Sequence, residues 1–322
     1  MNMIIIINLR YKEIGLFSYK FRRTYSLLIA LIFVFTLSAC GSSSPSIDEN
    51  ATNNKQVIYA SFFPVADLTS RIAGDEYEVK TIIGINEEPH SFELSANKMT
   101  DIKKSSLVVF NGATMESFMD DVEAEVGADK CLDLSQGLTL LKTKGSSSEE
   151  VVNPHTWLSV KCACVQLDTI YKKLSSIDPD NEGYYKQNLD KSLSEFEALD
   201  KKFEETIKTI PKDKRYFVVS HAAFNYLAHD YGLTQVAITG ISPDEEPSAK
   251  QLVALSDFVE KHGINTIFFE GSTTPKVAQT LANSTDTQTS TLWTMENLNQ
   301  DEADLGYLKL MEKNLTSLMR SF

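Results

Sequence analysis

Residues 180–209 read DNEGYYKQNLDKSLSEFEALDKKFEETIKT. Apolar side chains fall at Tyr185, Leu189, Leu193, Phe196, Leu199, Phe203 and Ile207, in steps of three and four that place them along one stripe of a helix. Pro179 suits the first turn of such a helix and Pro211 marks its end. Unbroken, it would run about 45 Å, longer than one small lobe needs. It therefore reads as a rigid spine, residues 181–209, joining an N-terminal lobe (56–180) to a C-terminal lobe (210–322). The competing reading is a long helix packed wholly on one lobe.

The flanks of this helix repeat one pattern. Short β-branched runs at Gln56–Phe63, Val79–Ile83 and Ser106–Asn111 alternate with amphipathic or polar segments, and the alternation returns at Arg215–Ser220, Gln235–Thr239 and Thr266–Glu270. Both halves are thus expected to be α/β. A chain of 322 residues that is 42% hydrophobic and 23% charged can supply a core to each. Its formal charge is −13, and −17 once residues 1–39, with five basic and one acidic side chain, are set aside. A surface that acidic repels nucleic acid, which is excluded as a partner.

The amino terminus carries an address. Lys20, Arg22 and Arg23 precede an apolar run from Leu27 to Leu37, too short for a comfortable membrane span and laid out as a signal peptide, residues 1–39. The run closes Leu37-Ser38-Ala39-Cys40-Gly41, which resembles the bacterial lipobox. That resemblance implies that Cys40 is acylated and anchors the chain to the outer face of a cell membrane. Residues 40–55 are polar, with no pattern able to bury a face, and read as a flexible tether. Cys131, Cys162 and Cys164 remain. Cys162 and Cys164 sit in a helical segment, where residues two apart point to different sides, so they read as small buried hydrophobes rather than metal ligands. A disulfide from Cys131 to one of them stays open.

Of five histidines, three lie just beyond a strand or the loop that follows it: His90 after Val79–Ile83, His155 within Asn153-Pro154-His155-Thr156-Trp157, and His221 directly after Phe217-Val218-Val219-Ser220. Ligands of α/β sheets bind at the carboxyl ends of strands, so the three point toward a shared crevice. One such histidine would ordinarily be structural; three together indicate a site. His229 and His262 lie in polar helical contexts and read as surface residues.

Glu88-Pro89-His90-Ser91-Phe92-Glu93, Asn153-Pro154-His155-Thr156-Trp157-Leu158-Ser159 and Ser220-His221-Ala222-Ala223-Phe224-Asn225-Tyr226 resemble, in that order, the three histidine motifs of the zinc-binding solute-binding proteins of ABC transporters. Asn111-Gly112, the segment Gly240–Ser248, Phe269-Glu270 ahead of Pro275–Ala278, and Tyr307–Met311 are similar as well. The resemblance covers the chain from about Gln56 to its end. It implies two (β/α) lobes, each around a mostly parallel four-stranded sheet, joined by one long helix, with the metal between them. It also implies that His90 and His155 are ligands from the first lobe and His221 a ligand from the second.

The same resemblance places a carboxylate ligand in Thr291–Leu298, which makes Glu296 the fourth candidate, with Glu270 at a strand end as runner-up or as a partner orienting a ligand histidine. Three imidazoles and one carboxylate suit tetrahedral Zn2+, whereas manganese takes more oxygen donors. Two features depart from the usual pattern: Lys142–Val152 holds no histidine, and Thr294-Met295 stands where proline and leucine are more usual. The expectation is an extracytoplasmic, monomeric zinc carrier with no catalytic role, partnered by an ABC permease and its ATPase. The alternatives are a manganese carrier of the same family, a surface adhesin and a zinc hydrolase. The hydrolase lacks a His-Glu-x-x-His helix.

Overall fold

A computed structural model describes residues 55–144, 150–271 and 276–322. The expected signal peptide, the expected acylation at Cys40 and the expected tether up to residue 54 lie outside the described residues. Two parallel sheets organise the rest. The first contains β1 (Gln56–Ala60), β2 (Tyr77–Thr81), β3 (Leu107–Phe110) and β4 (Cys131–Asp133), in the order β2-β1-β3-β4. Its connections carry α1 (Phe63–Ala73), α2 (Ala96–Ile102) and α3 (Met119–Val126).

An antiparallel pair, β5 (Lys142–Lys144) and β6 (Glu150–Val152), leads into α4 (Val160–Ile177) and then into the long α5 (Glu182–Lys208). The second sheet contains β7 (Tyr216–Val219), β8 (Thr234–Ala237), β9 (Thr266–Phe269) and β10 (Gln288–Thr291), in the order β10-β9-β7-β8. Its helices are α6 (Asn225–Tyr231), α7 (Ala249–His262) and α8 (Lys276–Thr285), with α9 (Gln300–Ala303) and α10 (Tyr307–Met319) closing the chain.

The α/β class, the two four-stranded sheets and the long helix therefore match expectation, and the differences are local. The apolar run expected as strand to Phe63 stops at Ala60, because Pro64 fixes the first turn of α1. β2 begins at Tyr77 rather than Val79 and alternates buried Tyr77 with exposed Glu78 and Lys80, as an edge strand does. In the interior, β3 is buried along its whole length, the continuous apolar pattern of a strand covered on both faces.

Helix α5 buries Tyr185, Leu189, Phe196, Leu199, Phe203 and Ile207, the stripe read from the sequence except for Leu193, which is half-buried. It packs on α1 and α4 beside the first sheet and on α6 and α10 beside the second, so it is not confined to one lobe. One continuous core runs under both sheets. Phe217 and Val219 of β7 face it, while Val218 faces a smaller cluster with Val259, Ala278 and Leu281 on the sheet's other side, the two-residue period of a strand. Tyr307, at the start of α10, stacks on Phe196 and donates from its hydroxyl to the Trp157 carbonyl at 2.5 Å. The last helix thereby completes the packing of the first half.

Chain order reverses between β7 and β9 in the second sheet, and between β1 and β3 in the first. Such switch points leave a crevice at the carboxyl ends of the strands. His221 follows β7 and Glu270 follows β9. Cys131, Cys162 and Cys164 are free thiols, each half-buried, and the latter two lie in α4. His229 is exposed, but His262 is not a simple surface residue: its ring is half-buried, stacked on Phe258 at 4.2 Å and tilted against Tyr216.

Candidate metal centre

Four segments converge on one point. His90 sits in a short 3-10 turn, Pro89–Ser91, entered through Pro89 and capped by Glu88, whose carboxylate accepts from the His90 backbone N–H at 3.1 Å. His155 caps a second 3-10 turn, Thr156–Leu158, ahead of α4. The Asn111 side chain donates to the Pro154 carbonyl at 2.8 Å and accepts from the Thr156 hydroxyl at 2.8 Å, which fixes that turn against the end of β3. His221 leaves β7, where Ser220 N–H bonds the Phe268 carbonyl and Ala222 N–H bonds the Gly240 carbonyl.

Glu296 lies on the loop after β10. There Met295, fully buried, adopts a left-handed φ of 66°, a conformation rare for a side chain of that size. Leu298 N–H bonds the Ile85 carbonyl at 2.6 Å. The loop bearing Glu296 is thus stitched to the loop that precedes His90.

Nε2 of His155 stands 3.2 Å from Nε2 of His90 and 3.2 Å from Nε2 of His221. The Glu296 carboxylate lies 2.8 Å from His155 Nε2, 3.2 Å from His90 Nε2 and 3.5 Å from His221 Nε2. Tetrahedral ligands at 2.0–2.1 Å from one ion stand about 3.3 Å apart, so these separations are those of a coordination shell. Both carboxylate oxygens of Glu296 are buried without a conventional hydrogen bond, a state that costs several kcal/mol unless a cation occupies the space between. Only His90 retains contact with solvent, with 11% of its side chain exposed.

The other ring nitrogens explain why Nε2 faces inward. Nδ1 of His155 bonds Asn153 Oδ1 at 3.0 Å, and Nδ1 of His221 bonds the Glu270 carboxylate, which also accepts from Ser220 Oγ at 2.9 Å. An acceptor on Nδ1 keeps the proton there and turns the Nε2 lone pair toward the centre. Glu270, the runner-up for fourth ligand, therefore touches the far side of a histidine rather than the group of four.

Burial pushes the His155 imidazole down to about 4, so it is neutral and ready to coordinate. Burial also opposes charge on His221, but the adjoining Glu270 carboxylate outweighs it and lifts the group to about 9, so at neutral pH its Nε2 carries a proton that a bound ion would displace. His90 is likewise pulled down by burial and raised on balance by Glu296. Glu296 stays well below the usual carboxylate range in spite of its burial, held there by His155, His90 and His221. Just outside, burial and the charge of Glu296 push Glu88 up to about 7.

Among the described residues, His90, His155, His221 and Glu296 are the group of metal-ligating side chains whose donor atoms all lie within 4.8 Å of one another. The sequence brought these four forward. It gave no role to Asn153, although the residue stands inside a quoted motif, and none to Trp157, whose indole reaches across to the Glu296 loop. Each bonds a residue far away in sequence, Asn153 to Ala222 and Trp157 to Thr294, and no local pattern announces those partners.

A family model described as ZnuA, zinc-uptake complex component A, periplasmic, matches residues 58–321. The chain is 32% identical over 317 residues to the high-affinity zinc uptake system protein ZnuA of Bacillus subtilis (strain 168), covering 94% of this chain and 98% of that protein. It is 32% identical over 310 residues to the zinc-binding lipoprotein AdcA of Streptococcus pneumoniae serotype 4, covering 92% of this chain but only 60% of AdcA. The crystal structure of the Zn(II)-bound ZnuA-like domain of Streptococcus pneumoniae AdcA superposes with a TM-score of 0.72 at 33% identity, covering 83% of this chain and 98% of that one.

Proposed function

Because this chain belongs to the ZnuA family of zinc-uptake proteins, we propose that His90, His155, His221 and Glu296 together hold one zinc ion as cargo and release it to an importer. It is a zinc-binding solute-binding protein of the uptake type. The observation that carries the ligand assignment is the convergence of three Nε2 atoms on one buried carboxylate, with all four donor groups close enough to share an ion.

Three nitrogens and one carboxylate in a nearly closed pocket favour zinc over manganese, which takes more oxygen donors. A hydrolytic zinc site would keep one position open for water; here Glu296 fills it. The lobes are 56–180 and 210–322, with the helix 181–209 between them. Cys40 carries the lipid that keeps the chain on the extracytoplasmic face of the cell membrane, and the chain acts as a monomer beside an ABC permease and its ATPase. AdcA, a relative described as a zinc-binding lipoprotein, supports that placement.

Elemental analysis of protein purified without chelator, joined to zinc and manganese competition, tests this reading. One zinc per chain, retained against a large excess of manganese, is expected. Retention of manganese against zinc would overturn it.

A further inference from the structure

Asn153 is fully buried, and every polar atom of its side chain is engaged at the metal centre. Its Oδ1 accepts from the backbone N–H of His155 and from the ring Nδ1 of His155, each at 3.0 Å. Its Nδ2 donates to the carbonyl of Ala222, the residue after His221, at 2.7 Å. The network fixes which way the amide points: reversed, it would set an NH2 against two donors and an oxygen against a carbonyl. The backbone carbonyl of Asn153 is held as well. It accepts from the Tyr226 hydroxyl at 2.8 Å, and that hydroxyl accepts from Leu141 N–H at 3.1 Å.

Two of the four candidate ligands, one beside each sheet, are therefore joined through a single carboxamide. We propose that Asn153 is a positioning residue that links His155 to the His221 loop by a path that does not pass through the metal. This rests on the reading of the two histidines as zinc ligands. With zinc present, the ion joins His155 to His221 directly. Once zinc has left, the bond from Asn153 to Ala222 keeps the two sides in register, so the empty site stays ready to capture. Any transient parting of the two sides during release strains this neutral hydrogen bond, which closes again in the empty protein. Ala222 is itself pinned by the Gly240 carbonyl at 2.7 Å, so the link reaches the strand framework of the second sheet.

Two substitutions separate the two jobs of the amide. In Asn153→Asp one oxygen still accepts from His155, while the other faces the Ala222 carbonyl and repels it. Asn153→Ala removes both contacts. The full chain would be followed by zinc competition with a chelator, the rate of zinc release into excess chelator, the 15N spectrum of the His155 ring, and hydrogen exchange of residues 221–224 without metal.

Asn153→Ala is expected to weaken zinc binding by about 10–100-fold, as loss of a partner behind a ligand does. Asn153→Asp is expected to keep the Nδ1–H signature of His155, yet to lose protection at 221–224 and release zinc about tenfold faster, the worth of roughly one hydrogen bond. Should Asn153→Ala fail to fold, the near-isosteric Asn153→Asp still decides. Wild-type exchange and release in Asn153→Asp would overturn the link. His155→Ala serves as the control: if that variant bound zinc as wild type does, the ligand assignment itself would fall, whatever the Asn153 variants did.

Discussion

The indole Nε1 of Trp157 donates to the carbonyl of Thr294 at 2.7 Å, so the residue two beyond His155 is bonded to the residue two before Glu296. Neither partner is exposed. The bond ties the loop of the carboxylate to the turn of a histidine from the other half of the chain. It constrains where Glu296 can stand independently of any ion.

Trp157→Phe keeps a ring against Phe62, now packed edge-on at 4.8 Å, but leaves the buried Thr294 carbonyl without a donor. An unfolding free energy lower by about 1–3 kcal/mol is expected, together with weaker zinc binding. Tyr307→Phe frees the Trp157 carbonyl instead and should destabilise to a similar degree with zinc affinity unchanged. Urea unfolding beside calorimetric zinc titration distinguishes the two. Equal zinc affinity in both variants would mean that the indole does not place Glu296.

Replacing His90, His155 or His221 by alanine should each weaken zinc binding far beyond the roughly 10–100-fold cost of losing an outer partner. The metal-free chain should remain folded, because the four side chains sit on turns and loops rather than within the apolar core. Glu296→Gln should cost less, since an amide oxygen or a water can take the vacated place. Wild-type affinity in any histidine variant would remove that residue from the ligand set.

Glu270 accepts from His221 Nδ1 and from Ser220 Oγ. Glu270→Gln preserves size while removing the charge that supports His221, and about a 10–100-fold loss of zinc affinity is expected. If it proved more damaging than Glu296→Gln, the roles of the two carboxylates would have to be exchanged.

Glu116 lies under the site, its two oxygens accepting from Asn111 N–H at 2.8 Å and Gly112 N–H at 3.0 Å. Burial nonetheless pushes its carboxyl from 4.5 up to about 7. The folded chain then binds more protons than the unfolded chain between those values. Stability present below about 4.5 is therefore lost as pH rises through 7, by up to about 3 kcal/mol at roughly 1.4 kcal/mol per unit. Glu116→Gln should be less stable at low pH but should flatten this slope. Urea midpoints from pH 4.5 to 8 would test it, and an unchanged slope would exclude Glu116 as its source.

Zinc should raise hydrogen-exchange protection mainly in the loops around 84–92, 153–157, 221–224 and 292–298. Helix α5, which packs beside both sheets, should stay unchanged. A helix anchored on both sides resists a wide hinge, so local ordering should dominate over rotation of the halves. The largest change falling within Glu182–Lys208 would replace this account with a true hinge.

Much of this molecule could be read in advance because its strongest features are periodic. The stripe of α5 and the apolar runs of β3, β7 and β9 declare themselves within a few residues. β10, with the sequence Gln-Thr-Ser-Thr, and β4, three residues long, do not, because edge strands need little apolar surface and are defined by their neighbours. The histidines were legible as groups at strand ends. Glu296 was legible only through resemblance, since its position depends on the left-handed turn at Met295 and on a bond from Leu298 to Ile85. Asn153 needed a carbonyl 69 residues away.

The closing helix α10 has a consequence for the order of events during synthesis. The Trp157 carbonyl receives its hydroxyl partner from a residue 150 positions later, and Asp67 waits 240 positions for the Tyr307 N–H. At translation rates of roughly 5–20 residues per second, the first of these delays lasts on the order of 8–30 s. Throughout it, the amino-terminal half lacks the helix that seals its packing, however complete its own sheet has become. A nascent chain held back in this way remains threadable for that whole interval, with its final packing deferred until the last helix has emerged.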